Sequence, residues 1–336
     1  MNDWRYWFNE QKGTLLALFI FLVMFSIYLT NHSAIVNNGY TMQTVGNVVT
    51  TAANKGVLLA LVAMAQTFVV LTAGIDLSIG MTFILANCVA SYVVVGDPGQ
   101  STLGVIAVLL VGVVCGAING AIVIFGRLQP IVATIATGAI YFGIALWIRP
   151  FPGSDPTFAS GIADALTGKI LGVIPASLVT LVVIVLLIWV PFRSSTLGRA
   201  VYAVGSSEVA AYMSGMPIRT AKFAAYTLAG LLAAMGGLFL TFFTYSGEAS
   251  LANGNTYTLY SIAAVVLGGV SLFGGRGGVV GAIFGALAFR AIGDLLFVFE
   301  FDPLWQPLFQ GIVLVVAVSL GSARLFQVKN RLELFT

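Results

Sequence analysis

Charge is what this sequence has least of. Only 8% of its 336 residues are Asp, Glu, Lys or Arg, against roughly 25% in an average soluble domain. A water-soluble fold keeps itself dissolved with those surface charges, so water is excluded as the solvent for most of the chain. The formal net charge is +3, and no block of like charges runs along the sequence, which leaves a nucleic-acid partner without a footprint. Histidine occurs once, at His32, with no acidic or cysteine neighbour in sequence. The two cysteines, Cys88 and Cys115, lie inside apolar runs, where a thiol behaves as a small buried hydrophobe, and they offer neither a disulfide framework nor metal spacing. A Gly-x-x-x-x-Gly-Lys-Ser/Thr phosphate loop is missing; Gly168-Lys169-Ile170 is the nearest fragment and lacks both the first glycine and the hydroxyl. The chain therefore reads as neither an ATPase nor any other enzyme, and needs no cofactor or metal of its own, because acid–base chemistry would have few groups to work with.

Apolar residues are plentiful instead: 59% are hydrophobic and 38 are glycine. A spanning helix needs about 20 mostly apolar residues, and backbone groups in lipid must satisfy one another. Applied along the chain, this predicts an all-α polytopic membrane protein of about ten transmembrane helices, near 14–30, 56–73, 79–95, 102–125, 131–148, 176–192, 222–244, 257–272, 278–298 and 307–322. The first run is too long and bulky for a cleaved signal and reads as a span. The weakest division is Thr72-Ala73-Gly74-Ile75-Asp76-Leu77-Ser78-Ile79-Gly80, which interrupts the apolar run without a proper loop.

With both ends on the cytoplasmic side, the inner segments hold Arg5, Lys12, Arg127, Arg193, Arg199, Arg219, Lys222, Arg276, Arg324, Lys329 and Arg331, and the outer ones only Lys55, Arg149 and Lys169. That asymmetry is the positive-inside pattern. The whole chain, 1–336, then reads as a single transmembrane domain with an inner N-terminus (1–13), an inner loop (193–221) and an inner tail (323–336). Trp4, Trp7, Trp147, Trp189 and Trp305 fall near predicted span ends, as interfacial anchors do.

Gly112, Gly116 and Gly120 in the fourth span and Gly277, Gly281 and Gly285 in the ninth repeat at four-residue spacing, which lets a neighbouring backbone approach closely. Copies separated by an odd number of crossings run in opposite senses, so the pattern fits an inverted repeat of spans 2–5 and 7–10. Chance similarity in a Gly/Ala-rich chain is the plain alternative.

The loop from Phe192 to Ala221 has a different composition. Ser206 or Ser207 can cap a helix whose first turn carries Glu208, and Ser214-Gly215 before Pro217 stops it. Two turns fall well short of the roughly 12–15 residues an isolated helix needs, so this one has to dock. Val209, Ala210 and Met213 offer it a small apolar face for a cytoplasmic partner; the lipid interface of its own protein is the plainer surface.

Thr196-Leu-Gly-Arg-Ala-Val-Tyr-Ala-Val-Gly205, Glu208, Ala210-Ala211, Ser214-Gly215 and Tyr226-Thr-Leu-Ala-Gly230 resemble the signature loop of the ribose/xylose/galactose-type permeases of bacterial ABC importers. Leu71 to Gly80 and Ala263 to Gly277 match in order, and the likeness covers roughly 45–320. The resemblance implies a bacterial inner-membrane permease that imports a monosaccharide or related sugar. Its implied partners are a cytoplasmic ABC ATPase that binds the ATP, a second permease copy or related permease, and a periplasmic sugar-binding protein, with lipid around it. It further implies that Ser206, Ser207, Glu208, Val209, Ala210, Ala211, Met213, Ser214 and Gly215 form the coupling helix. Ser207, where Asn is usual, and Tyr212, where a basic residue is usual, depart from the pattern.

Asp76 is the most telling acid, since an ionised carboxylate at full depth costs several kcal/mol. With Ser78 it suits an interrupted helix end, bonding freed N–H groups; a role in transport is the sharper reading. Gln66, Asn87 and Asn119 are polar groups on apolar spans that either line a passage for a hydroxylated solute or bond helix to helix. Arg290 and Asp294 are one turn apart and suit an ion pair. Gly268-Gly269 and Gly274 to Gly278 read as a flexible glycine turn. Two other classes stay open at this point: a permease of the branched-chain amino acid type, and an ion-coupled secondary transporter built on Asp76.

Overall fold

The structure is a computed structural model that describes residues 3–316 and 319. The expected inner tail, with Arg324, Lys329 and Arg331, lies outside the described residues. In chain order the helices are α1 (Asp3–Asn31), α2 (Ser33–Asn38), α3 (Met42–Val70), α4 (Ile79–Val93), α5 (Pro98–Phe125), α6 (Pro130–Ile148) and α7 (Ser160–Thr167). A hairpin of two-residue strands, β1 (Lys169–Ile170) and β2 (Ile174–Pro175), leads into α8 (Ala176–Ile184). Then come a π-helical turn (Val185–Trp189), α9 (Val190–Ser194), α10 (Thr196–Ser206), α11 (Glu208–Met213), α12 (Ile218–Thr244), α13 (Leu251–Leu267), α14 (Val279–Val298) and α15 (Gln306–Val316).

Seven of the described helical segments are long and apolar enough to cross a bilayer. α4, α13 and α15 are shorter and occupy the remaining predicted runs, so a count of about ten rests on treating these as crossings too. Several boundaries move. α1 begins at Asp3, inside the expected inner terminus, and α3 begins at Met42 rather than near 56, which places Lys55 within a helix instead of an outer loop. The π turn was not foreseen. Pro191 stands two residues after its end; its ring lacks an N–H and clashes with the preceding turn, so the helix widens there.

α12 sits at the centre, packed along α5, α4 and α3. Its contacts obey a rule. Exchanging α3, α4, α5 and α6 for α12, α13, α14 and α15 turns α5 on α12 into α14 on α3, and α4 on α12 into α13 on α3; the α3–α12 and α4–α13 pairs map onto themselves. α6 packs on α4, as α15 reaches α13 through the Tyr260–Gln310 hydrogen bond. Even the breaks correspond, since Ala73 after α3 and Tyr245 after α12 both take left-handed backbone, at φ 62° and 54°. This is the packing an inverted repeat produces.

Glycine makes these crossings close. A Cβ on Gly230 would lie 2.1 Å from the Gly112 carbonyl oxygen, one on Gly80 1.9 Å from that of Gly254, and one on Gly285 2.1 Å from that of Ala264. Both sequence-level glycine rows therefore face a partner helix.

Segments expected on the inner side gather at one end, where Gly13 meets Gly269 and Gly205 meets Gly275. Those expected outside gather at the other. There Lys169 bonds Asn47, Tyr245 bonds Asp164 and Gly153 pairs with Gly247. Arg149 donates to the Ser91 hydroxyl and carbonyl at 3.0 Å each and lies over the Tyr92 ring. In the same loop region Thr157 donates twice to Asp155 and holds its carboxyl below the ordinary range. Trp147 and Trp305 are exposed, but Trp189 is only 3% exposed. It packs on Phe68 and Phe192, so its position near a span end reflects core packing rather than an interfacial anchor.

Replacing Gly230 by Ala forces backbone apart and should cost about 1–3 kcal/mol, the usual range for overpacking. Gly143, with nothing within 4 Å of an added Cβ, should accept Ala with no loss. Thermal unfolding of the purified chain in detergent measures both.

Candidate functional site: a helical hairpin and the seam behind it

The loop expected to carry one short helix carries two. α10 is capped by Ser195, whose hydroxyl accepts from Gly198 N at 3.0 Å, and runs to Ser206. Ser206 is thus the end of α10 and not a cap of the next helix; its hydroxyl donates back to the Tyr202 carbonyl. Ser207 is the cap, accepting from Ala210 N at 3.3 Å. Its extended backbone, at φ −165°, turns the chain into α11. The helix stops as the sequence indicates: Met216 N donates to Ala211 O and Gly215 N to Tyr212 O, both at 3.0 Å, with Gly215 at φ 71°. That is a Schellman ending.

α11 presents Val209 (71% exposed), Tyr212 (74%) and Met213 (83%) to the outside, and Ala210 is exposed beside them. Tyr212 was not expected in that apolar face. Ala211, counted with the partner-facing residues, is instead buried and holds the helix on its own chain, because at helical spacing it points opposite Val209 and Met213. Glu208 fixes the other side through an ion pair with Lys222 of α12 at 2.7 Å.

Behind the hairpin three backbone segments meet. Gly275 N donates to Leu71 O at 3.1 Å, and a Cβ on Gly205 would lie 1.9 Å from that same oxygen and 2.5 Å from Gly275 N. A Cβ on Gly274 would lie 2.7 Å from Ala73 N, and the Tyr202 hydroxyl donates to Gly277 O at 2.6 Å. The glycine turn expected to be flexible is therefore packed, its left-handed Gly274, Gly275 and Gly277 shaped to accept the hairpin on one side and the end of α3 on the other.

The α3 break starts in this seam. Gly74 N donates to Val69 O and Ala73 N to Val70 O, the same kind of helix ending with Ala73 in the position glycine usually takes. Asp76 follows, 2% exposed. It accepts from Ser78 N at 2.8 Å, the Ser78 hydroxyl at 2.7 Å and the Asn119 amide at 3.3 Å. Asn119 also donates to Ser78 Oγ at 2.6 Å and accepts from Tyr141 at 3.1 Å, while Leu77 N donates to Thr134 Oγ1. Of the path candidates, then, Asp76, Ser78 and Asn119 come together, joined by Tyr141 and Thr134, which sequence reasoning missed because they lie on α6.

Asn87 and Gln66 stand apart from this cluster. Asn87 donates to Thr241 and Ser246 O and accepts from Glu248 N, which fixes the α12–α13 loop at the opposite end. Gln66 is fully buried with neither amide atom partnered. All five candidates are at most 2% exposed, and none lines either of the two cavities beside the α10–α11 hairpin. Arg290 pairs with Asp294 at 3.2 Å, one turn away, as its spacing predicts. His32 caps α2, accepting from Ala34 N.

Residues 48–318 match the family described as branched-chain amino acid transport system / permease component. The chain belongs to this permease family. Among curated proteins it is 35% identical to the ribose import permease protein of Bacillus subtilis strain 168, over 93% of this chain and 92% of that one. It is 33% identical to the fructose import permease protein of Rhizobium meliloti, over 78% and 74%, and 27% identical to the D-allose transport system permease protein of Escherichia coli K12, over 93% and 92%. No solved structure matches. The chain is thus a multi-pass membrane transport component, and its α10–α11 hairpin and glycine turn lie inside the matched region.

Asp76→Ala leaves three donors without their acceptor and should lower stability by about 1–3 kcal/mol for each group that stays dry. Asp76→Asn keeps an acceptor oxygen and should cost distinctly less. Unfolding temperatures of the two variants in detergent, taken side by side, check the ordering.

Proposed function

We propose that this permease is the membrane subunit of an ATP-driven importer for a monosaccharide or related sugar. A periplasmic binding protein would deliver the solute, and a separate cytoplasmic ATPase, docked on α11, would drive the cycle. The observation that carries this reading is the glycine seam, in which the hairpin that bears an exposed apolar helix is joined, backbone to backbone, to the break that leads to Asp76. A displacement of α11 has little compressible material to absorb it, since packed backbone transmits strain. Val209, Ala210, Tyr212 and Met213 suit a shallow apolar groove on the ATPase, with Glu208, Ser214 and Gly215 setting the pitch of the helix.

Sugar is favoured over branched-chain amino acid because relatives matched over most of the chain carry ribose, fructose and allose in their names. An ion-coupled mechanism at Asp76 is disfavoured by the network itself: the carboxylate is occupied by neutral donors from its own turn and from α5. Asp76 serves as the anchor of the α4 start, and the solute passes where the break rearranges.

Two measurements on the complex reconstituted with its ATPase and binding protein test the reading. Deleting 206–214 should abolish sugar uptake; normal uptake would end the proposal. Gly205→Ala, which wedges the seam without touching the exposed face of α11, should leave ATPase binding intact. It should also cut uptake per ATP hydrolysed by roughly tenfold, the consequence of about 1.4 kcal/mol of lost coupling.

A further inference from the structure

Two adjoining chambers lie beside the α10–α11 hairpin, and α11 supplies Glu208 and Tyr212 to the larger of them. The larger, about 660 Å³, lies between the α5–α6 turn and the start of α12, where Arg127, Arg219 and Lys222 share its walls with Ile124, Leu128 and Ile218. The smaller, about 340 Å³, shares Val123, Pro130, Glu208 and Lys222 with it and is also lined by Tyr226.

Lys222 is neutralised by Glu208 at 2.7 Å. Among the described residues the guanidinium groups of Arg127 and Arg219 have no ion-pair or hydrogen-bond partner, and both residues are exposed. α6 and α12 both begin without a capping side chain, so their first-turn N–H groups add to the positive potential of the larger chamber. The Tyr226 hydroxyl belongs to a residue only 1% exposed and has no partner. With two unpaired guanidinium groups among apolar walls, the larger chamber suits a phosphate group.

The surroundings say where such a phosphate comes from. Leu128 (49% exposed) is part of the chamber wall, Phe125 (67%) and Val132 (57%) are exposed at the adjoining ends of α5 and α6, and α5 continues apolar through Val114, Leu110 and Ile106, all exposed. An acidic protein surface or a free anion would leave that apolar face uncovered, whereas acyl chains lie along it. Basic pockets between helices at the membrane surface are where anionic head groups bind. We infer that the Arg127–Arg219 cleft is a binding site for an anionic phospholipid headgroup of the phosphatidylglycerol kind, wedged between the α5–α6 turn and the coupling hairpin. The inference depends only on the chain being in a membrane. It stands whether or not the transported solute is a sugar.

The test is native mass spectrometry of the full chain in detergent, supplemented with phosphatidylglycerol or with phosphatidylcholine. A phosphatidylglycerol adduct is expected on the unaltered chain and should weaken roughly thirty-fold in R127Q/R219Q, the loss expected for two basic residues near a membrane surface. It should persist in R127K/R219K and in R199Q/R276Q, whose basic residues lie at the same end but outside the cleft. Circular dichroism and the unfolding temperature separate loss of the site from loss of the fold. The inference is overturned if phosphatidylcholine binds as well, if R199Q/R276Q loses the adduct equally, if the adduct survives in R127Q/R219Q, or if millimolar inorganic phosphate displaces it completely.

Discussion

Backbone-to-backbone contact through glycine is the constraint from which the rest of this structure follows. Lipid tails are as apolar as leucine, so no hydrophobic force drives one spanning helix onto another. Association has to come from close approach, and here carbonyl oxygens sit where a side chain would otherwise stand: Gly112 O against Gly230, Gly254 O against Gly80, Leu71 O against Gly205. At each of these crossings the helices are as near as two helices can be. Their relative positions are therefore discrete rather than sliding. A transporter needs that property, because a change of state then means breaking one set of contacts and making another.

The same constraint explains the symmetry. α12 and α3 occupy equivalent central places, each touching the other, each packed by the short helix and the glycine-lined helix of the opposite half. The short helices α4 and α13 meet near their N-termini, where Gly80 N donates to Thr258 Oγ1 at 3.1 Å. Their shortness is the other side of the breaks that precede them, at 71–78 and 245–250. Irregular backbone inside a membrane protein is tolerated only where protein buries it. The first break is so buried, by the Asp76–Ser78–Asn119 cluster, while the second is largely accessible and is tied down by Asn87. Equivalent positions thus use different residues for one task.

What could be read from the sequence divides along the range of the interactions. Local chemistry was legible. Ser207 as a cap, Gly215 as a stop, the Arg290–Asp294 pair and the apolar runs are each decided within a few residues. The glycine rows were legible as faces, but not in what they face. Asp76 was recognisable as a helix-end acid, while its tie to Asn119, 43 residues away, and the support of Tyr141 and Thr134 depend on how α5 and α6 pack. α10 was hidden because its sequence was read as loop, although Ser195 caps it and it packs on α12. Trp189 misled for a similar reason: a tryptophan near a span end is an anchor only if that face meets the bilayer, and this one meets Phe68.

A six-residue helix cannot carry force by its own stability. α11 is less than half the length at which an isolated helix holds together, so whatever pushes on Val209 or Met213 is resisted by its mounting. That mounting has three parts of different stiffness: the buried Ala211, the Glu208–Lys222 pair, and α10 with its glycine seam. The ion pair is partly exposed, with Glu208 57% accessible, and pairs of that kind contribute about 1 kcal/mol or less, so it can orient the helix but not hold it under load. The seam is the opposite case: its contacts are backbone, with no rotamer to yield. Load applied at α11 therefore reaches Leu71 and the glycine turn together, and the first element able to give is Ala73, already in a left-handed conformation that costs an L-residue roughly 1–2 kcal/mol. Beyond Ala73, Asp76 and its donors fix the start of α4.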